Sequence, residues 1–224
     1  MGATFFSLAL FGFCSLTAID AVFAERRLVA REVGARLYRP WAWTAAQLTV
    51  DGLLLRALPA LLYSACAYPL MGFSGEPRRA AAFFAVLSGY AATVGALAVA
   101  LASALPTPAA AALALNVVLL AWLLFGGFLV NAASIPAHIK WVRWLSPLSY
   151  AFEILATTEL AAGPLFSADV EGVPHLEQMP GESFLRVLGL DPSRAALDAF
   201  LLALCFLAAA GLAFAAGEAR LRAR

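Results

Sequence analysis

Residues 24–39 read Ala-Glu-Arg-Arg-Leu-Val-Ala-Arg-Glu-Val-Gly-Ala-Arg-Leu-Tyr-Arg, a charged stretch set between two long apolar runs. Five of the fifteen Lys and Arg residues are here: Arg26, Arg27, Arg31, Arg36 and Arg39. Before it, Met1 to Phe23 carries one charge, Asp20; after it, Trp41 to Phe73 carries only Asp51 and Arg56. A short basic helix between apolar spans marks the cytoplasmic side of a membrane protein, because cytoplasmic loops hold the excess of Lys and Arg. Val29, Val33 and Leu37 recur every four residues as an apolar stripe, while Glu32 and Arg36 are spaced to pair at i,i+4 on another face. The stretch is either a connector lying on the membrane surface or a lever docked onto a soluble partner. Periodicity leaves both open.

Composition points the same way. Hydrophobic residues make up 63% of the 224 and charged residues 13%, about half the charged share usual in soluble domains. Apolar stretches of roughly the length that spans hydrocarbon occur at 3–23, 42–73, 80–104, 109–130 and 195–216. The fold class expected is an all-α membrane protein, one domain over 1–224. It is a polytopic bundle of about five transmembrane helices, with an amphipathic cytoplasmic connecting helix over 24–39 and a long extracellular loop over 131–194. A net charge of +1 gives no reason to expect a nucleic-acid partner. Cys14, Cys66 and Cys205 all fall inside predicted spans and are expected as buried packing residues rather than disulfide or metal ligands. The first span lacks a basic leader and is followed by a strongly basic segment, which argues for a retained helix rather than a cleaved signal. Its abrupt start at Met1 points to sequence missing upstream.

Arginine placement orients the bundle. With 24–40 inside, the connections alternate: 74–79 outside, 105–108 inside, 131–194 outside and 217–224 inside. The inside segments then hold eight arginines in about 30 residues, the outside segments six Lys and Arg in about 70. That asymmetry satisfies the positive-inside rule despite the local exception of Arg78 and Arg79. Leu105-Pro106-Thr107-Pro108 is a tight turn, since neither proline continues a helix and each restricts the residue before it. The long loop opens on an aromatic amphipathic stretch in which Trp141, Trp144 and Tyr150 suit a membrane–water interface. Gly89, Ala92, Gly95 and Ala96 permit close helix packing in lipid.

Ionisable residues inside spans are costly in hydrocarbon and face protein or water. Asp20 lies one turn inside the cytoplasmic end of the first span, Asp51 and Arg56 in the second, and Asp198 in the last. Arg56 can pair with Asp51 or Asp20, or reach toward the interface. Pro59 should kink the second span, making Arg56 to Pro59 a candidate hinge. The fourth span ends Phe125-Gly126-Gly127-Phe128-Leu129-Val130-Asn131, where glycines let the helix break and Phe128 and Leu129 can close a hydrophobic constriction.

Enzymatic chemistry finds little support. Gly72-Phe73-Ser74-Gly75 matches the G-x-S-G pattern of intramembrane serine proteases, but that chemistry needs a histidine base beside the serine. The two histidines, His138 and His175, both lie in the outside loop. There is no HExxH and no CxxC, and no G-x-x-x-x-G-K-[ST] phosphate loop either, so the chain cannot bind and hydrolyse ATP unaided.

Several motifs occur together. Glu25-Arg26-Arg27-Leu28, Arg31-Glu32 and Leu37-Tyr38-Arg39 are followed by the Gly-Gly-Phe-Leu-Val-Asn end of the fourth span. Then comes Leu145-Ser146-Pro147-Leu148-Ser149-Tyr150-Ala151-Phe152-Glu153. In this order they resemble the transmembrane domain of the G subfamily of ABC transporters, the white/breast-cancer-resistance type of the ABC-2 membrane family. The resemblance runs from about residue 3 to the C-terminus. It implies that the five spans correspond to the family's second to sixth, with the first helix and the nucleotide-binding domain absent from this chain. It also implies that Glu25, Arg26, Arg27, Arg31 and Glu32 belong to the helix that relays ATP-driven motion. Phe13, Leu120 and Leu123 would line a substrate cavity on a dimer axis, with Phe128 and Leu129 as a plug above it. Asp20 would stand in a polar relay, and Arg56 where substrate selectivity is tuned. The outside loop departs from the pattern, having neither cysteine nor glycosylation sequon.

The function expected from these readings is the membrane-spanning part of an ATP-driven exporter of lipid-like or amphipathic small molecules. It would not itself be an enzyme: ATP and Mg would be held by a nucleotide-binding domain supplied upstream or in trans. A homo- or heterodimeric half-transporter partner and the surrounding lipids complete the assembly, in the plasma membrane or an endomembrane. The alternatives are a stand-alone ABC-2 permease served by a separate ATPase subunit, or a truncated, non-transporting membrane protein.

Overall fold

Proline sets the first turn of four helices, at Pro40, Pro77, Pro108 and Pro147. Its fixed φ suits a helix, and the N–H it lacks is one that a first turn leaves unbonded anyway. A computed structural model describes residues 2–73, 76–126, 141–160, 166–167, 177–179 and 194–222. In chain order the helices are α1 (Gly2–Cys14), α2 (Thr17–Gly34), α3 (Pro40–Val50), a π-helical segment (Asp51–Ala57), α4 (Leu58–Leu70), α5 (Pro77–Ala104), α6 (Pro108–Phe125), α7 (Trp141–Trp144), α8 (Pro147–Leu160) and α9 (Ala195–Arg222). Among the described residues, five helical runs are long and apolar enough to cross a bilayer: Gly2–Gly34, Pro40–Leu70, Pro77–Ala104, Pro108–Phe125 and Ala195–Leu221. The five-span, all-α architecture expected from composition is therefore the one observed. The loop adds a small antiparallel ribbon of β1 (Phe166–Ser167) and β2 (Glu177–Met179).

α5 is the axis of the bundle. It packs against α1, α2, α4, α6, α8, α9 and the π-helical segment. Phe83, Leu87, Tyr90, Val94, Ala98 and Ala102 form a buried stripe at helical spacing, and Ala91, Ala96 and Val99 are buried beside it. Its alanine-rich second half lets neighbouring backbones come close, which is how helices associate where lipid removes the usual hydrophobic drive.

The first span is broken. Ser15 N–H bonds to Gly12 O and Leu16 N–H to Phe13 O, each at 3.1 Å, tightening the chain into a 3₁₀-like turn between α1 and α2. α2 then runs without interruption from the span into the basic stretch as far as Gly34, so no separate helix begins at residue 24. Arg36 takes a left-handed conformation with φ of 59°. That ends the helix early and removes the i,i+4 geometry expected of Glu32 and Arg36. Glu32 instead accepts a 2.7 Å hydrogen bond from the Tyr38 hydroxyl. The apolar stripe stops for the same reason, with Val29 buried and Leu37 71% exposed.

Within the aromatic stretch, Trp144 is exposed, while α8 enters the bundle against α1, α5, α6 and α9, burying Leu148, Ala151, Phe152 and Leu155. Its polar side chains tolerate this because they are bonded. Ser149 Oγ donates to Arg143 O and Ser146 O, Thr157 Oγ1 donates to Glu153 O, and Glu153 Oε2 lies 3.3 Å from Arg143 Nη2. Cys14 and Cys66 are exposed rather than buried, and Cys205 is half-buried; all three are free thiols. A small apolar side chain suits lipid as well as a core, so the sequence could not separate the two placements.

The ends of the bundle sort by charge. The basic end of α2, the 105–108 turn and the end of α9 come together, because Arg26 and Arg220 both bond to carbonyls of that turn. At the opposite end, Tyr68, Phe73 and Phe83 form a ring cluster, and the Tyr68 hydroxyl donates to Glu159 Oε1 at 2.8 Å.

Candidate functional site

Near the middle of the second span the helix widens over Asp51–Ala57. Pro59 supplies the cause, since it cannot donate to the carbonyl four residues back. In the resulting i→i+5 pattern, residues five apart stack rather than diverge. Asp51 and Arg56 are five apart, and they meet: Arg56 Nε bonds Asp51 Oδ2 and Nη2 bonds Oδ1, each at 3.0 Å. The remaining guanidinium donors reach the break in the first span, Nη1 to Cys14 O at 3.1 Å and Nη2 to Ser15 O at 3.5 Å. Each carbonyl also accepts a second bond, Cys14 O from Thr17 Oγ1 at 2.8 Å and Ser15 O from Ala18 N–H at 3.2 Å. Two helix irregularities in different spans are thus tied by one arginine. Gly95 of α5 closes the third side: a Cβ there would stand 2.7 Å from Asp51 Oδ2 and 3.1 Å from Arg56 Nε.

Of the two partners expected for Arg56, the structure selects Asp51. Asp20 is exposed on α2, so within one chain it does not join the Arg56 cluster.

The residues expected to line a cavity fall on an open face instead of inside a closed pocket. On α6, Leu113, Val117, Leu120 and Leu124 form an exposed ridge at helical spacing, with Leu123 half-buried beside it. On α1, Phe6 and Leu10 are exposed and Phe13 is partly buried against the core. α1 and α6 pack together, and the Gly12 position faces Leu119 Cδ2. Phe13 thus lies on α1, and Leu120 and Leu123 on α6, two helices that pack together. Phe128 and Leu129, expected as the constriction, lie outside the described residues, as do Ser74, His138 and His175. Among the described residues, no three His, Cys, Asp or Glu side chains come together as a metal site would need.

The basic extension of α2 divides into two faces. Arg27, Leu28 and Arg31 are exposed. On the other side, Arg26 lies 3.7 Å over the Phe23 ring and reaches the 105–108 turn. Glu25 accepts a 3.2 Å hydrogen bond from Trp43 Nε1. Beyond the helix, burial, then the hydrogen bond and charge of Glu32, push the Tyr38 phenol up to about 12.

Comparison with known proteins adds the lineage. The family model of the ABC-2 type transporter matches residues 1–160, about seven-tenths of the chain. The chain belongs to the ABC-2 type transporter family. Its relatives include ABC transporter G family member 24 of Dictyostelium discoideum, 27% identical over 90% of this chain and 17% of the relative. The broad substrate specificity ATP-binding cassette transporter ABCG2 of Bos taurus is 26% identical over 86% of this chain and 30% of its own length. The ABC multidrug transporter atrI of Aspergillus fumigatus is 26% identical over 82% and 12%. The chain thus spans less than a third of each of these relatives. This ABC-2 domain is an integral, multi-pass membrane protein with ABCG-type relatives. The sequence holds no G-x-x-x-x-G-K-[ST] phosphate loop.

Sequence reasoning missed four participants in this ABC-2 domain. The carbonyls of Cys14 and Ser15 carry no side-chain signal, since any residue offers a carbonyl. Gly95 was legible as a small packing residue but not as the wall behind an ion pair. Arg220 read as topological charge, whereas it bonds to Ser103 O at 2.7 Å and Leu105 O at 2.9 Å.

Proposed function

We propose that this chain is the membrane-spanning part of an ATP-driven exporter of lipid-like or amphipathic small molecules, with ATP and Mg held on a nucleotide-binding domain outside residues 1–224. The observation that carries this reading is the pairing of two surfaces on one bundle. The apolar face of α1 and α6, bearing Phe13, Leu120 and Leu123, offers an oily wall to an amphipathic guest. The exposed Arg27, Leu28 and Arg31 of the α2 extension offer a grip to a soluble motor. A second copy or a related half-transporter would complete the wall into a cavity. Phe128 and Leu129 would close that cavity, and Asp20 would serve a polar relay toward the motor. The ABCG-type relatives, one of them named for broad substrate specificity, support the same reading.

The test is transport by the native assembly. The complete protein with its ATPase is reconstituted in vesicles and given a fluorescent short-chain phosphatidylcholine and a cationic amphipathic dye. Movement of either probe that needs ATP and stops with vanadate is the expected result. No ATP-dependent movement of any amphipathic probe, with ATPase activity intact, overturns the proposal. An antibody against residues 164–185 locates the motor: a native polypeptide several times heavier than 23.6 kDa carries it in the same chain. One near that mass recruits it as a separate subunit.

A further inference from the structure

The end of α5 presents an unusual demand. A helix leaves its last four carbonyls without intrahelical donors, and here the following residues cannot supply them. Leu105 N–H bonds back to Leu101 O at 2.9 Å, but Pro106 and Pro108 have no N–H to give. Two arginines from distant parts of the chain fill the gap. Arg26, from the basic extension of α2, donates through Nη2 to Ala102 O and to Leu105 O at 2.7 Å, and through Nη1 to Pro106 O at 3.1 Å. Arg220, near the end of α9, donates through Nη1 to Ser103 O at 2.7 Å and to Leu105 O at 2.9 Å. Both grip the Leu105 carbonyl. Positive charge at a helix C-terminus is also favoured by the helix dipole.

The placement gives the contact its meaning. α5 is the helix on which most of the bundle packs, and the 105–108 turn leads directly into α6, which carries the exposed apolar face. Arg26 is flanked on its own helix by the exposed Arg27, and one turn further on lies the exposed Arg31. A force applied to that exposed side reaches the α5–α6 turn through Arg26 with no flexible loop between them. Arg220 ties α9 to the same point.

We infer that Arg26 and Arg220 are positioning residues that form a mechanical joint. Displacement of the α2 extension is passed through the Leu105 carbonyl to α5, α6 and α9 together, coupling the motor to the substrate-facing wall. The inference rests on the transport reading above. Neither arginine touches substrate or nucleotide; each acts through the backbone of the turn.

The experiment measures probe molecules moved per ATP hydrolysed, in vesicles holding the complete assembly, with the fluorescent phosphatidylcholine as probe. For the Arg26→Gln, Arg220→Gln double variant this ratio is expected to fall at least tenfold while ATP hydrolysis stays within twofold of the unmodified protein. Arg26→Lys, which keeps a charged donor at that position, should recover most of the ratio. A lost ratio that lysine restores identifies the carbonyl grip, since a merely misfolded bundle would lose ATPase stimulation and detergent stability as well. Should the double variant fail to assemble, the single Arg26→Gln and Arg26→Lys proteins carry the same comparison. An unchanged ratio in Arg26→Gln with normal transport by the unmodified protein overturns the joint while leaving the transport reading intact. Absence of ATP-dependent transport in the unmodified protein overturns both.

Discussion

Arg56 holds Asp51 in a two-pronged grip, with Nε to Oδ2 and Nη2 to Oδ1 each at 3.0 Å and side chains only 3% and 4% exposed. Removing both charges from water is expensive, and geometry of this quality with the extra bonds to Cys14 O and Ser15 O is what offsets it. Breaking the pair from one side strands the other charge. Asp51→Asn should therefore destabilise the bundle by about 3–5 kcal/mol, read as a fall in thermal midpoint in detergent. The Asp51→Leu, Arg56→Met double substitution should cost less than Asp51→Asn alone. A double variant worse than the single one would show that the pair itself contributes net stability.

Gly95 gives an independent handle on the same cluster. A methyl group at this position would stand 2.7 Å from Asp51 Oδ2, and both the pair and the helix behind it would have to shift. Gly95→Ala should destabilise by about 1–3 kcal/mol, the usual range for overpacking a filled interior. It should also add less than its full cost on top of Asp51→Asn, because the two changes disturb one set of contacts. Full additivity would place the strain elsewhere on α5.

The architecture is legible in the sequence, whereas particular atomic contacts are not. Span number and polarity are composition effects summed over about twenty residues each, so single errors average out. The Asp51–Arg56 contact was among the open pairings, but choosing it required the π-helical widening over Asp51–Ala57. Five-residue spacing in an ordinary α-helix does not bring side chains together. Gly12 and Gly95 show the same limit, since a glycine announces a close approach without naming the partner. Cys14 and Cys66 mark a different one: in a bilayer, core and lipid face are equally apolar, and hydropathy alone does not tell them apart.

Tyr38 supplies a pH dependence outside the membrane. Its phenol is pushed up to about 12 by burial and then by Glu32. A phenol whose folded value lies above its ordinary 10 contributes stability that is fully present below pH 10. That contribution drains away as pH rises from there through about 12. Absorbance titration of phenolate, comparing the protein with its Tyr38→Phe variant, should assign this late ionisation to Tyr38. Glu32→Gln removes the carboxylate's charge, and the phenol should then titrate earlier. A Glu32→Gln protein with an unmoved titration would leave burial and the charge of Glu25 as the causes.

The exposed ridge of α6 asks for a partner. Leu113, Val117, Leu120 and Leu124 are 66%, 59%, 57% and 47% exposed in the single chain. Lipid could cover such a surface at no cost, so exposure by itself decides nothing. What distinguishes this ridge is the proposed role of Leu120, since a one-sided wall cannot enclose a substrate. The expected state in mild detergent is a dimer with this face inside. Leu120→Glu places a charge where a second copy would pack, and should weaken association at least tenfold, or about 1.4 kcal/mol. Light scattering of the purified protein reads that as a shift toward monomer mass. Leu62→Glu, on the exposed side of α4 at 62% exposure, should leave the mass unchanged. If Leu62→Glu rather than Leu120→Glu dissociates the particle, the partner sits on α4 and the α6 ridge faces lipid.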